Sequence, residues 1–339
     1  MNMKKIVSLA LSALLIFSLA ACQKTPSPAQ SNPDPSQSAP KPSNDAYPSK
    51  PITCIVPYTA GGGTDVICRM MSSMFPQYID NGQSLIVENQ PGGAAVPGTL
   101  AVADADSDGY TIGYNWGAAW VLRPFIMDTG YEFNDFTLIC GVEVQHNGIY
   151  VNADSPFQTL DDLVQYMLAH PGEMNYSTGP AASYQELVAN AFLSAVGGSA
   201  LNVPYEGARQ AALGMMSGEL DFTILQATTY SAELPAGSVR MLCSFEDSTY
   251  MEGVPTAAEC GYPDLTFVHR SMIYGPDGMS DDAVAKIEAA FEKLCSDETF
   301  LKLAANSQAD IQFVSHDEIV KQTLEQAEAS QEIIDKTMK

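Results

Sequence analysis

The chain predicts an α/β fold with largely parallel sheets. Two observations carry this: from residue 50 onward short apolar runs alternate with helical patterns, and glycines or other small residues stand at the joins. The composition agrees. With 46% hydrophobic residues, 25 Gly and 21 Pro in 339 residues, the chain is ordinary for a globular protein and long enough for about two domains.

Residues 52–58 read as a buried strand, which Gly61, Gly62 and Gly63 break. A helix follows over 64–74, with Val66, Ile67, Met70, Met71 and Met74 inward. Residues 85–88 and 111–114 are further strands. Thr159 opens the helix LDDLVQYMLA, which stops at Pro171-Gly172. Residues 175–178 read as a strand, followed by a small-residue turn and a helix near 183–196. Residues 222–225 and 240–243 complete the strands. Two helices close the chain, one after Ser280 and one after Ser315, the second opening with the capping pattern Ser315-His316-Asp317-Glu318.

Residues 1–21 carry a basic start (Lys4, Lys5) and an apolar run over 6–19, the pattern of a leader peptide. The segment ends Leu19-Ala20-Ala21-Cys22, which resembles a bacterial lipobox and implies cleavage before Cys22 and lipidation of its thiol. The alternative is an ordinary secretory leader with a chance cysteine. Residues 22–46, rich in Pro and Ser, read as an extended tether. The expected place is the outer face of a bacterial cytoplasmic membrane. The other cysteines, Cys54, Cys68, Cys140, Cys243, Cys260 and Cys295, read as buried free thiols.

The net charge of −24 argues against nucleic acid and anionic membrane surfaces as partners. Between residues 51 and 275 there is no lysine, and the only basic side chains besides histidine are Arg69, Arg123, Arg209, Arg240 and Arg270. An anion bound here must rely on backbone N–H groups and a few arginines. YTAGGGTD (58–65) is suited to that, because glycines between strand and helix expose amides at a positive helix end. It lacks the Gly-Lys-Ser/Thr of a Walker A loop, and Val66 stands where a dinucleotide fingerprint needs its third glycine. NYSTGPAASY (175–184) repeats the arrangement, and VPYEGARQA (203–211) places Gly207 at a helix start. A ligand-free glycine turn is the competing reading.

Catalysis finds little support. His146, His170, His269 and His316 lack metal-ligand spacing, no nucleophile elbow or C-x-x-C pair occurs, and no cofactor is expected. Asp104, Asp106, Asp108 and Gly109 begin like a calcium loop, but Asn115 stands where a bidentate Glu belongs. Trp116 and Trp120 follow a strand, either as core residues or as an aromatic wall for a ligand.

The segments "YPSKPITCIVPYTAGGGTDVICR", "IVENQPGG" and "ADADSDGYT" resemble the N-terminal signature of the Bug receptors, the substrate-binding components of tripartite tricarboxylate transporters. The resemblance continues, in order, through "YEFNDFT", "VNADSPFQTLDDLVQYMLAHPGEMNYSTG", "VPYEGARQA", "MMSGELDF", "VPTAAECGYPDL" and "YGPDGMSDDAVAKIEAAFEK". It implies a type II periplasmic-binding-protein fold: two α/β lobes, 47–146 with 270–339 and 147–269, with a ligand cleft between them. It implies a monomeric receptor, without chemistry of its own, that delivers a small carboxylate to large and small membrane subunits. Two loops of the family pinch a ligand carboxylate. Carried over, the ligand-binding positions are Tyr58, Thr59, Ala60, Gly61, Gly62, Gly63 and Thr64 in the first loop and Ser177, Thr178, Gly179, Ala181 and Ser183 in the second. Trp116, Trp120, Tyr205, Gly207 and Arg270 join them. Ala181 replaces a usual glycine, Glu206 a usual lysine and Leu225 a frequent acid. Arg270 either meets a second ligand carboxylate or pairs with a surface acid, and Arg123 carries the same ambiguity. A receptor that signals to a sensor kinase, or a tethered hydrolase, are the rival functions.

Overall fold

A computed structural model describes residues 47–179, 182–246 and 251–337. The leader, the tether with Cys22, and Ala181 lie outside the described residues. The strands are β1 (Ile52–Val56), β2 (Leu85–Asn89), β3 (Thr111–Trp116), β4 (Phe136–Gln145), β5 (Asn147–Asn152), β6 (Asn175–Ser177), β7 (Leu201–Asn202), β8 (Phe222–Gln226), β9 (Val239–Ser244), β10 (His269–Pro276) and β11 (Asp310–Val314). The helices are α1 (Gly63–Met74), α2 (Val96–Ala103), the short α3 (Ala118–Val121) and α4 (Arg123–Ile126), α5 (Leu160–Ala169), α6 (Tyr184–Val196), α7 (Ala208–Met216), α8 (Glu233–Ala236), α9 (Asp281–Cys295), α10 (Glu298–Asn306) and α11 (His316–Thr337).

Two sheets form, in the orders β11-β4-β10-β3-β1-β2 and β7-β6-β8-β5-β9. The expectation of largely parallel sheets needs correction. Pairs β1/β2, β1/β3, β6/β7 and β6/β8 are parallel. Pairs β3/β10, β10/β4, β4/β11, β5/β8 and β5/β9 are antiparallel. The reason is that the chain leaves one sheet on β4 and enters the other on β5 with only His146 between, then returns on β10.

Side-chain alternation puts apolar residues on both faces of each sheet, as strands covered by helices require. Ile52, Cys54 and Val56 of β1 join Ile67, Cys68 and Met71 of α1 in one cluster, whereas Ile55 faces another with Trp120 and Tyr274. In β5, Ile149 and Val151 face the α6 side and Tyr150 the α7 side. Of the helix residues expected inward on α1, Ile67 and Met71 are buried, while Val66, Met70 and Met74 are half-buried.

Helix starts follow local chemistry. Thr159 and Asp162 cap α5 reciprocally, Ser183 accepts from the Glu186 amide at α6, and Ser280 accepts from the Ala283 amide at α9. Between the two expected closing helices lies an additional one, α10, capped by Asp297. At the start of α11 the His316 amide donates to Glu288, so a neighbouring helix supplies an acceptor there. α11 spans both clusters, with Ile319 beside Trp120 and Met272 and Ile334 beside Phe192. Among the described residues no helix is long and apolar enough to cross a membrane.

Candidate ligand-binding site

The glycine-rich loop turns at Gly61, whose φ of +81° is a left-handed conformation that favours glycine. One side chain holds this loop. Asp65, buried in the first turn of α1, accepts from the Gly61 amide at 2.8 Å, from Arg69 Nε at 2.9 Å and from Asn89 Nδ2 at 2.8 Å. Burial opposes its ionisation, but these hydrogen bonds outweigh it and hold the carboxyl below the ordinary range. Asn89 also donates to the Tyr58 carbonyl at 3.1 Å, and Tyr58 OH donates to Asn115 at 2.8 Å. The Gly61 amide is thus committed to Asp65, and the Gly62 amide donates to the Thr59 carbonyl at 3.2 Å. The first-turn amides that have no acceptor within their own helix are therefore those of Gly63, Thr64 and Asp65, the groups a helix start offers to an anion.

The second loop uses the same device. The Ala182 amide donates to the Glu186 carboxylate at 2.5 Å, four residues on, as Gly61 does to Asp65. Gly179, at φ +81°, sits against α7: an added Cβ would stand 3.3 Å from both Cα and N of Ala208. Its carbonyl accepts from the Tyr205 amide at 3.0 Å, which joins this loop to Gly207 and the α7 start. Tyr205 contributes its backbone here, while its ring lies against Gly214 on α7.

An aromatic ladder connects the two loops. Trp116 Nε1 donates to Thr64 Oγ1 at 3.0 Å, and its ring lies 5.0 Å from that of His269. His269 stacks on Tyr184, the first residue of α6, at 4.0 Å and 12°. Burial, reinforced by the charge of Arg123, lowers the His269 pKa to about 3, so this imidazole is neutral. Its Nδ1 lies 2.9 Å from Gln145 Oε1.

A cavity of about 500 Å³ opens on the first loop, lined by Gly61, Gly63, Thr64, Trp116, Glu143, His146 and Thr228 among others. It brings together part of the first loop, Trp116 and the segment after β8. Ser177, Thr178, Gly179 and Ser183 do not line it; they connect to it through Tyr184 and His269. Trp120 takes its core place, edge-on to Phe136 and Tyr274, because α3 turns it away from the loop. Arg270 is buried and donates to the Gln312 carbonyl at 2.7 Å, in a groove beside α11. The arginine beside the first loop is Arg123, whose charge acts on Tyr58 and His269.

Glu143, His146 and Thr228 were not expected at the site. Sequence position gives no signal for them, since only the β4–β5 crossing delivers the first two there. Burial raises the Glu143 carboxyl to about 7, opposed by the Tyr114 hydroxyl and aided by Asp310. The folded protein therefore keeps this proton where the unfolded chain loses it, and stability falls as pH rises from about 4.5 to 7. Glu143→Gln lacks that cost, so its Tm advantage over the parent should grow across this window, as a pH series of thermal melts would measure.

No group of His, Cys, Asp and Glu among the described residues forms a metal site. Asp108 instead accepts from the Tyr110 amide and meets Lys50 at 3.7 Å.

Residues 75–338 match the family model described as the tripartite tricarboxylate transporter family receptor. A Pseudomonas sp. (strain P51) protein described as a UPF0065 protein in the tcbD-tcbE intergenic region is 29% identical over 253 residues, covering 74% of this chain and 75% of its own. BugT of Bordetella pertussis is 27% identical, over 69% and 73% respectively. A ligand-free TctC solute-binding protein from Polaromonas superposes with a TM-score of 0.77 at 23% identity, covering 86% of this chain and 99% of that one. MatC of Rhodopseudomonas palustris with bound malate superposes at 0.66 and 19%, over 85% and 100%. The resemblance to the Bug receptors and the two-sheet binding-protein fold both hold: the chain belongs to the tripartite tricarboxylate transporter family of receptors, extracytoplasmic solute-binding proteins rather than enzymes.

Proposed function

We propose that this receptor captures a small organic anion with at least one carboxylate and delivers it to the membrane subunits of a tripartite transporter. The observation that carries this is the start of α1, where a buried carboxylate fixes the glycine loop and the first-turn amides remain for a ligand beside the 500 Å³ cavity. A chain without lysine over residues 51–275 fits recognition by backbone dipoles. Malate bound to MatC is in keeping with a carboxylate ligand. In this reading residues 47–146 with 270–339 and residues 147–269 are the two lobes, the ligand is held by 58–64 with Trp116, and the 177–183 loop and the α7 start at Gly207 close from the other side. The protein acts as a monomer anchored through lipid on Cys22, with the 22–46 tether as spacer.

Titrating the purified receptor with mono-, di- and tricarboxylates while following Tm tests the ligand class. A ligand at 100 times its Kd adds about 2.7 kcal/mol, a shift of several degrees. Carboxylates that leave Tm unchanged at millimolar concentration would exclude the class. Arg123, beside Tyr58, supplies the charge for a second carboxylate. Arg123→Gln should weaken dicarboxylates about tenfold more than monocarboxylates in calorimetric titration, whereas Arg270→Gln should leave that ratio unchanged.

A further inference from the structure

The glycine-rich loop is flanked by two cysteines that the sequence separates and the fold brings into contact. Cys54 lies in the middle of β1, between Val87 of β2 and Ile112 of β3. Cys68 lies on α1, three residues after Asp65, on the face that packs against that sheet. Both side chains are fully buried, and their sulfurs stand 3.6 Å apart. That is van der Waals contact. A disulfide needs about 2.05 Å, so each sulfur must move by roughly 0.8 Å, within reach of small side-chain rotations. Among the described residues, Cys140, Cys243, Cys260 and Cys295 show no such sulfur contact.

We propose that Cys54 and Cys68 form a disulfide that ties the strand before the ligand loop to the helix after it. The receptor works outside the cytoplasm, where disulfides form and persist. The oxidant is a disulfide-bearing exchange partner, a small disulfide or a dithiol oxidoreductase. One thiolate attacks its S–S bond to give a mixed disulfide, and the second thiolate displaces the partner's remaining sulfur. The two thiols lose two protons and two electrons, and the partner leaves as two thiols. The hydrogen bond with the Cys68 thiol, together with burial, raises the Cys54 thiol well above its ordinary range, so exchange belongs to the folding chain, before β1 and α1 close over the pair. Once made, the bond is shielded from reductants. It closes the segment that holds Tyr58, the three glycines and Asp65, fixing both ends of the loop. The inference stands on the sulfur contact and is independent of which ligand binds.

The test unfolds the full chain in denaturant, refolds it in a buffer of oxidised and reduced glutathione, quenches free thiols with iodoacetamide in denaturant, and maps non-reduced peptides by mass spectrometry. The expected result is one linked peptide pair, carrying Cys54 and Cys68, with Cys140, Cys243, Cys260 and Cys295 alkylated. The oxidised protein should melt on the order of 5 °C above the same protein reduced in denaturant and refolded with dithiothreitol. Cys54→Ala/Cys68→Ala should lose that difference. Recovery of Cys54 and Cys68 as separately alkylated peptides, or linked to other cysteines, would overturn the proposal. So would a redox-dependent Tm that survives in the double variant.

Discussion

Asp65→Ala should lower stability by about 3 kcal/mol and weaken ligand binding at least tenfold. The buried carboxylate accepts from Gly61, Arg69 and Asn89, and a charged acceptor contributes about 1.5–3 kcal/mol for each buried donor it satisfies. Arg69 is half exposed and can return to water, so most of the loss comes from the Gly61 amide and Asn89. Without its anchor the loop loses the fixed turn at Gly61, and the α1 amides no longer meet a ligand in one geometry. Asp65→Asn keeps an acceptor and should fall between the parent and Asp65→Ala. Urea denaturation gives the stability, and calorimetric titration with a ligand found in the carboxylate screen gives the affinity. A variant with parental affinity would show that the loop does not hold the ligand.

His146→Gln should cost about 3 kcal/mol at pH 6 and progressively less toward pH 9. His146 Nε2 lies 2.7 Å from Asp310 Oδ2, and Nδ1 lies 3.8 Å from Glu246 Oε2. Burial alone would lower its pKa, yet the two carboxylates carry it up to about 9. Glu143 lines the same cavity, but with its carboxyl raised to about 7 it is largely protonated at pH 6 and leaves Asp310 and Glu246 as the acids that hold the imidazolium. Because the folded pKa lies above the unfolded one, the histidine's contribution is complete below about 6.5 and is lost as pH rises through 9. The parent's Tm should therefore approach that of the variant across this interval in buffered melts. A gap that stays constant from pH 6 to 9.5 would mean that the imidazolium is not what stabilises the crossing.

What could be read from sequence was local. The turn at Gly61, the cap at Thr159 and the start of α6 at Ser183 depend on residues within a few positions of one another, and each appears where expected. The β4, β5 and β10 strands were not assigned. Only His146 separates β4 from β5, too short a join to read as a loop, and tertiary pairing defines these strands. α10 escaped because Ser296 and Asp297 join it to α9 with too short a break. The role of Asp65 is not legible in sequence, because its burial depends on Asn89 of β2 and cannot be read from its neighbours. Trp120 follows a strand and Arg270 enters by the resemblance, and the side on which each leaves its backbone takes the one into the core and the other onto the Gln312 carbonyl.

α11 is 22 residues long, about 33 Å of stiff rod, and it buries Ile319 near one end in the cluster of Trp120 and Met272 and Ile334 near the other in the cluster of Phe192. In a receptor that opens between its two sheets, such a rod cannot follow both. One end must slide or detach, exposing apolar surface around either Ile319 or Ile334 to water. Capture of a ligand then includes re-burying that surface, far from any atom the ligand touches. The calorimetric signature is a negative heat-capacity change larger than the ligand's own area explains. Polar substitutions at Ile334 or Ile319 would shrink it selectively, according to which end lets go.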